Sequence, residues 1–194
     1  LALEVFHNFT LLHDDVMDRA DTRRGKATVH KKWNDNTAIL SGDAMLIRAY
    51  QMLQSVSSNQ FPLLLQLFSQ TAMEVCEGQQ YDVDFESDDS VSLDSYIEMI
   101  RLKTAVLLAA SLKMGALIGG ASQKDADALY QYGINLGLAF QLRDDYLDSF
   151  GDAAVFGKKI GGDICCNKKT FLMINALQLA SEDDKKELLA WMRR

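Results

Sequence analysis

The chain spells one acidic heptad twice: Leu12-His13-Asp14-Asp15-Val16-Met17-Asp18 and, 130 residues later, Leu142-Arg143-Asp144-Asp145-Tyr146-Leu147-Asp148. Both read Leu-x-Asp-Asp-x-x-Asp. On a helix, residues four apart share a face, so Asp14 stacks on Asp18 and Asp144 on Asp148. Like charges stacked this way weaken a helix, and the chain carries the arrangement twice. Solvated acidic faces would be a simple explanation, but the flanks (Leu11, Val16, Met17; Leu142, Tyr146, Leu147) are apolar, and charges in apolar surroundings need a partner. A hard divalent cation supplies one. Mg²⁺ keeps several waters and bridges one or two carboxylates to substrate phosphates. The spelling therefore predicts two facing helices that grip one diphosphate through Mg²⁺.

The rest of the composition says what holds such helices. The 194 residues are enough for one domain with a sizeable core, and 48% of them are hydrophobic, which excludes disorder. One Pro, with long runs of Ala, Leu and Met, points to an all-α protein. A net charge of −7 argues against a nucleic-acid binder. The three cysteines are odd in number, with Cys165 and Cys166 adjacent and Cys76 alone, so neither a disulfide framework nor a zinc knuckle is expected, and reduced thiols suit a cytoplasm. No apolar run is long enough to span a membrane, and residues 1–8 are not a signal peptide. The chain opens in helical periodicity with no N-cap, which suggests a piece of a longer protein.

Taken in order, the pattern gives a helix over 1–19, a polar loop over 20–35 and a helix from about Thr37 to Ser55. Pro62 opens the next, to about Asp84. An acidic loop, Phe85 to Val91, leads to Ser92 as N-cap of a helix ending at Gly119-Gly120. Ser122 or Gln123 starts a helix to about Phe150. A Gly- and Lys-rich loop to Asn167 and helices over 168–180 and 182–193 complete a single domain, 1–194.

Several cations could meet a diphosphate. Arg23-Arg24 lies in a Gly-containing loop, where the guanidinium fork suits phosphate oxygens, although a solvated loop explains the pair equally well. Lys103 interrupts an apolar stretch and either snorkels or points into a polar cavity. Lys158, Lys159, Lys168 and Lys169 flank Gly161-Gly162, at best a generic anion site. Glu4-x-x-His7 is half of a di-iron motif whose other half is missing, so His7 is read as structural. No nucleophile or general base is legible. What remains is ionisation: the diphosphate leaves, and a dry apolar bundle protects the carbocation.

These residues together resemble the trans-prenyltransferases, the polyprenyl (isoprenyl) diphosphate synthases. Asp14-Asp15-x-x-Asp18 followed by Arg23-Arg24-Gly25 resembles the first aspartate-rich motif, and Gln141-x-x-Asp144-Asp145-x-x-Asp148 the second. Glu77-Gly78-Gln79, Lys103-Thr104, Phe156-Gly157-Lys158, Gly161-Gly162-Asp163 and Lys168-Lys169-Thr170 resemble the signatures between and after them. The resemblance implies an isoprenoid-synthase-type helical bundle around a deep central cavity, usually as a cytoplasmic homodimer. It implies head-to-tail condensation of isopentenyl diphosphate with an allylic diphosphate, using up to three Mg²⁺.

Carried over residue by residue, the metal set is Asp14, Asp15, Asp18, Asp144, Asp145 and Asp148, with two ions on Asp14 and Asp18, a third on Asp144, and Asp148 in support. Arg23, Lys103 and Lys158 would hold the allylic diphosphate, Arg24 would reach isopentenyl diphosphate, and Lys168 would lie at the rim. Thr104 and Gln141 would face the cationic carbons. Phe9, with Thr10 beside it, would floor the cavity and stop growth at a short all-trans product, C15 to C20. Complete members carry further helices before and after these residues, including a Gly-Lys-x-x-Arg stretch and a His for isopentenyl diphosphate, so the chain is expected to be truncated at both ends. A class I terpene cyclase would mix Asn, Ser or Thr with Glu in its second motif, and a non-catalytic partner subunit tends to lose aspartates, whereas this chain keeps all six.

Overall fold

The computed structural model describes residues 1–56, 59–152 and 160–192, which form two compact units, Leu1–Phe68 and Ser69–Arg194. The expected all-α class is observed.

In the first unit, α1 (Ala2–Met17) packs along α3 (Asp35–Leu53). Phe6 is almost fully buried; its ring lies 5.5 Å from Phe9 and 5.3 Å from Phe68, which in turn meets Tyr50 at 5.0 Å. These tilted and edge-on contacts are the arrangement that aromatic quadrupoles favour. Asn34 caps α3 by accepting from the Thr37 N–H at 2.8 Å.

The stretch 20–35, expected to be loop throughout, contains structure. A two-residue hairpin pairs β1 (Thr22–Arg23) with β2 (Lys26–Ala27), and a single turn of helix, α2 (Val29–Lys32), follows. Arg24 and Gly25, with φ of +52° and +72°, fill the two central positions of the turn, and positive φ at both matches the twist of the flanking strands. Strands this short carry no readable alternation, so periodicity could not announce them.

The second unit contains most of α4 (Phe61–Phe85), then α5 (Leu93–Ile100), a π-helical turn (Arg101–Ala105), α6 (Val106–Ile118) and α7 (Gln123–Phe150). After it come a short α8 (Gly162–Cys165), α9 (Phe171–Leu179) and α10 (Glu182–Met192). Ser92 and Ser122 cap α5 and α7 through the N–H groups of Ser95 and Asp125, at 3.1 and 3.2 Å. Tyr96, Met99 and Ile100 bury one face of α5 against Ile174 of α9. Gly133 brings α7 onto α6 and Gly137 brings it onto the π turn: a Cβ on either would stand 2.5 or 2.4 Å from Cα of Ala109 or Ala105. Among the described residues no helix is long and apolar enough to cross a membrane.

Candidate functional site

Each acidic heptad buries its second aspartate and leaves its first half-buried. In the first, α1 turns Asp15 inward, to 4% exposure, while Asp14 stays half-buried. The hairpin aims Arg23 back at both, with Nε donating to Asp15 Oδ1 at 2.7 Å and Nη2 to Asp14 Oδ2 at 3.0 Å. Burial lifts the Asp15 carboxyl above its ordinary value even though the Arg23 hydrogen bond and charge pull it down. Arg24, at the hairpin tip, is exposed, so adjacent arginines serve different surfaces. Asp18 closes α1, its N–H donating to the Asp14 carbonyl at 2.9 Å. Phe9 is buried between Phe6 and the His13 ring, whose centroid is 4.8 Å away. Thr10 lies one turn before Asp14 on the same stripe, its hydroxyl donating to the His7 carbonyl at 2.8 Å.

In the second heptad, α7 turns Asp145 inward, to 3% exposure, with Asp144 half-buried. The Tyr96 hydroxyl donates to Asp145 Oδ2, and Gln141 Nε2 donates to Oδ1 at 2.9 Å. A carboxylate only accepts, so Asp145 fixes which end of the Gln141 amide faces it. Gln141 Oε1 then accepts from the Thr104 hydroxyl at 3.2 Å. Burial raises the Asp145 carboxyl despite these donors, and burial together with Asp145 pushes the Tyr96 hydroxyl strongly upward. Asp148 is also buried and secures the following turn: its Oδ2 accepts from the Asp163 N–H at 3.1 Å and its carbonyl from the Gly161 N–H at 2.7 Å.

Lys103 and Thr104 stand on the π turn, in which the Val106 N–H reaches back five residues to the Arg101 carbonyl. Such turns inside helices are frequent at functional sites. Gly78 of α4 makes room for it: an added Cβ would lie 2.2 Å from the Lys103 backbone nitrogen. One turn further along α4, Asp82 is 8% exposed and accepts from the Lys103 ammonium at 2.8 Å. Lys168 Nζ donates to the same Asp82 Oδ2 at 2.8 Å and to Glu86 Oε1 at 2.7 Å. Burial alone would raise Asp82, but the charges and hydrogen bonds of Lys103 and Lys168 outweigh it and hold the carboxyl below its ordinary value. Lys168, expected at the rim, is thus mostly buried, and Lys169 beside it is buried near Asn167 and Asp89. Lys158, with Phe156, Gly157 and Lys159, lies outside the described residues.

Asp82, Glu86 and Tyr96 were not among the residues the sequence singled out. Asp82 has one local signal, its place one turn after Gly78 in α4. Among the described residues no group of three or more His, Cys, Asp or Glu stands together as a metal site. The carboxylates present nevertheless fit Mg²⁺, which takes one or two protein carboxylates and completes its shell with water and phosphate oxygens. Arg23, Lys103 and Lys168 are donors suited to phosphate.

The sequence pattern of the family described as Polyprenyl synthetase matches residues 1–194. The chain is 45% identical over 180 residues to the geranylgeranyl diphosphate synthase of Methanosarcina mazei, covering 92% of this chain and 56% of that protein. It is 42% identical over 189 residues to a short chain isoprenyl diphosphate synthase of Methanocaldococcus jannaschii, covering 97% and 58%. A crystal structure of a geranylgeranyl pyrophosphate synthase superposes with a TM-score of 0.93 at 57% identity, over 100% of this chain and 58% of that one. The chain thus spans a little over half the length of the relatives it matches. With the paired aspartate heptads, the Lys103 turn and this match along its whole length, the chain belongs to the polyprenyl synthetase family.

Proposed function

We propose that the protein is a prenyltransferase that condenses isopentenyl diphosphate with an allylic diphosphate, head to tail, to a short all-trans prenyl diphosphate of C15 to C20. One observation carries the reading: two heptads of one spelling each bury and brace their second aspartate, leaving the first half-buried. The names of the relatives, geranylgeranyl and short chain isoprenyl diphosphate synthases, point the same way.

Asp14 and Asp18 from the first heptad, and Asp144 supported by Asp148 from the second, would hold up to three Mg²⁺; Asp15 and Asp145 keep them in place. Bound there, Mg²⁺ supplies Lewis-acid charge to the diphosphate oxygens. Arg23, Lys103, Lys158 and Lys168 donate to the same oxygens, so the allylic C–O bond breaks with its electron pair on the diphosphate. Arg24 reaches the isopentenyl diphosphate. The Thr104 hydroxyl and the Gln141 amide, held by Asp145, present oxygen dipoles to the carbocation. The isopentenyl double bond attacks the cation, and the proton lost goes to the departing diphosphate.

Phe9 ends the space for the growing chain, with Thr10 beside it. The work is cytoplasmic, in keeping with free Cys76, Cys165 and Cys166. The active form is a homodimer; α3 leaves Leu40 and Ile47, seven residues apart on one face, available for burial.

The test is incubation of full-length protein with both diphosphates and Mg²⁺, followed by extraction and chromatography. A linear prenyl diphosphate is the expected product. A cyclic hydrocarbon would make the protein a terpene cyclase, and no product from competent substrates would make it a non-catalytic subunit.

A further inference from the structure

We propose that Asp82 is a positioning residue: one buried carboxylate gathers the ammonium groups of Lys103 and Lys168 into a two-pronged clamp for a diphosphate. This rests on the diphosphate reading above. The two lysines come from unrelated elements, the π turn and the loop before α9, yet both Nζ atoms lie 2.8 Å from the same Oδ2 of Asp82. They therefore cannot stand further apart than twice that distance. Two ammonium groups so close repel one another, and the arrangement persists only with an anion between them.

The local structure is shaped for that convergence. Gly78 admits the π turn against α4, and Asp82 follows one helical turn later on the same face, where Lys103 arrives. Asn167, at φ +56°, turns the chain just before Lys168 and donates to the Glu86 carbonyl at 2.6 Å, fixing that loop to the end of α4. Asp82 of α4 and Glu86, just past its end, face the two ammonium groups, and Glu86 accepts from Lys168. With 8% exposure, Asp82 has no room for a bulk-water shell and depends on the lysines as they depend on it.

A diphosphate carries oxygens on two phosphorus centres. Two ammonium groups held this close can each turn toward it while the bonds to Asp82, and that of Lys168 to Glu86, stay in place. The carboxylate also favours the protonated form of both lysines, so the clamp stays charged at alkaline pH.

The experiment measures the affinity of full-length protein for inorganic pyrophosphate with Mg²⁺, by calorimetry from pH 7 to pH 10. Asp82→Asn should weaken binding on the order of 10- to 100-fold and move its alkaline loss to lower pH. Asp82→Glu should restore part of the affinity and return the alkaline limb toward that of the parent. Binding by Asp82→Asn as tight as the parent's, or tighter, overturns the proposal, since Asp82 would then be a spectator or a competitor. A loss that merely follows melting temperature across Asp82→Asn, Asp82→Glu and Asp82→Ala, with an unmoved pH profile, also overturns it. Should Asp82→Asn fail to fold, Lys168→Met takes its place: weaker binding supports the clamp, and parental affinity overturns it. Parent protein that ignores pyrophosphate would overturn the diphosphate reading itself, and the clamp with it.

Discussion

Tyr96 on α5 donates its phenolic hydrogen to the buried carboxylate of Asp145 on α7, 49 residues away in sequence. The contact ties the core of the second unit to the centre of an acidic heptad. Tyr96→Phe keeps the ring and removes the donor. It should cost about 2 kcal/mol at pH 7, the usual scale for a lost hydrogen bond to a buried charge. Asp145 already has a carboxyl raised by burial, and losing a donor raises it further. A carboxyl raised in the folded state binds more protons folded than unfolded, so its contribution to stability falls as pH rises from the unfolded value through the folded one. The penalty of Tyr96→Phe should therefore be smaller near pH 4 than at pH 7. Urea midpoints at the two values check this, and equal penalties would contradict it.

Gly78→Ala should be among the most damaging single-methyl changes. The new Cβ would meet backbone, at 2.2 Å from the Lys103 nitrogen, and backbone cannot swing aside. A destabilisation of about 2–3 kcal/mol is expected from overpacking. Because the displaced segment carries Lys103 and Thr104, prenyl transfer should fall by at least about 100-fold even in protein that remains folded. Denaturation midpoints and product assays on the same preparation separate the two effects.

Phe9→Ala empties a buried site packed by Phe6 and His13. A loss of about 3 kcal/mol is expected, together with a longer product, because the ring no longer stops the chain. Phe9→Leu should cost about 1 kcal/mol and lengthen the product less. Unchanged product length on chromatography for both variants would remove Phe9 from this role.

Arg24→Gly relieves a residue held at positive φ. Stability should rise by about 0.5–1 kcal/mol. The guanidinium proposed for isopentenyl diphosphate is lost, so KM for that substrate should rise by about tenfold or more while KM for the allylic partner changes little. Steady-state kinetics with each diphosphate varied in turn reads the split.

Much of this could be read from residue order. Pro62, Ser92, Ser122 and Gly119-Gly120 mark helix ends by local chemistry, and the structure places the ends of α4 to α7 beside them. The aspartate heptads were legible because the same spacing occurs twice. The hairpin over 22–27 was not, since two-residue strands have no period to read. The π turn was hidden for a related reason: Arg101 to Ala105 look helical residue by residue, and only the five-residue reach of the Val106 N–H distinguishes them. Asp82 was hidden among acids. Glu74, Glu77, Asp82 and Asp84 share one helix, and what sets Asp82 apart is two lysines 21 and 86 positions away. That is tertiary information. Lys158, in the same reading, falls on residues outside the described structure.

The π turn also bears on how such a chain can be improved. Its extra residue advances everything downstream by about 100° around the axis. That is how Tyr96 and Met99 before it, and Val106 and Ala109 after it, can all be buried. Deleting Arg101 would heal the helix into ordinary α geometry and swing Lys103 and Thr104 off their present bearing. A shortening there would turn one of the two buried faces out of the core as well as moving those side chains, so neither sturdiness nor the proposed activity would gain from it.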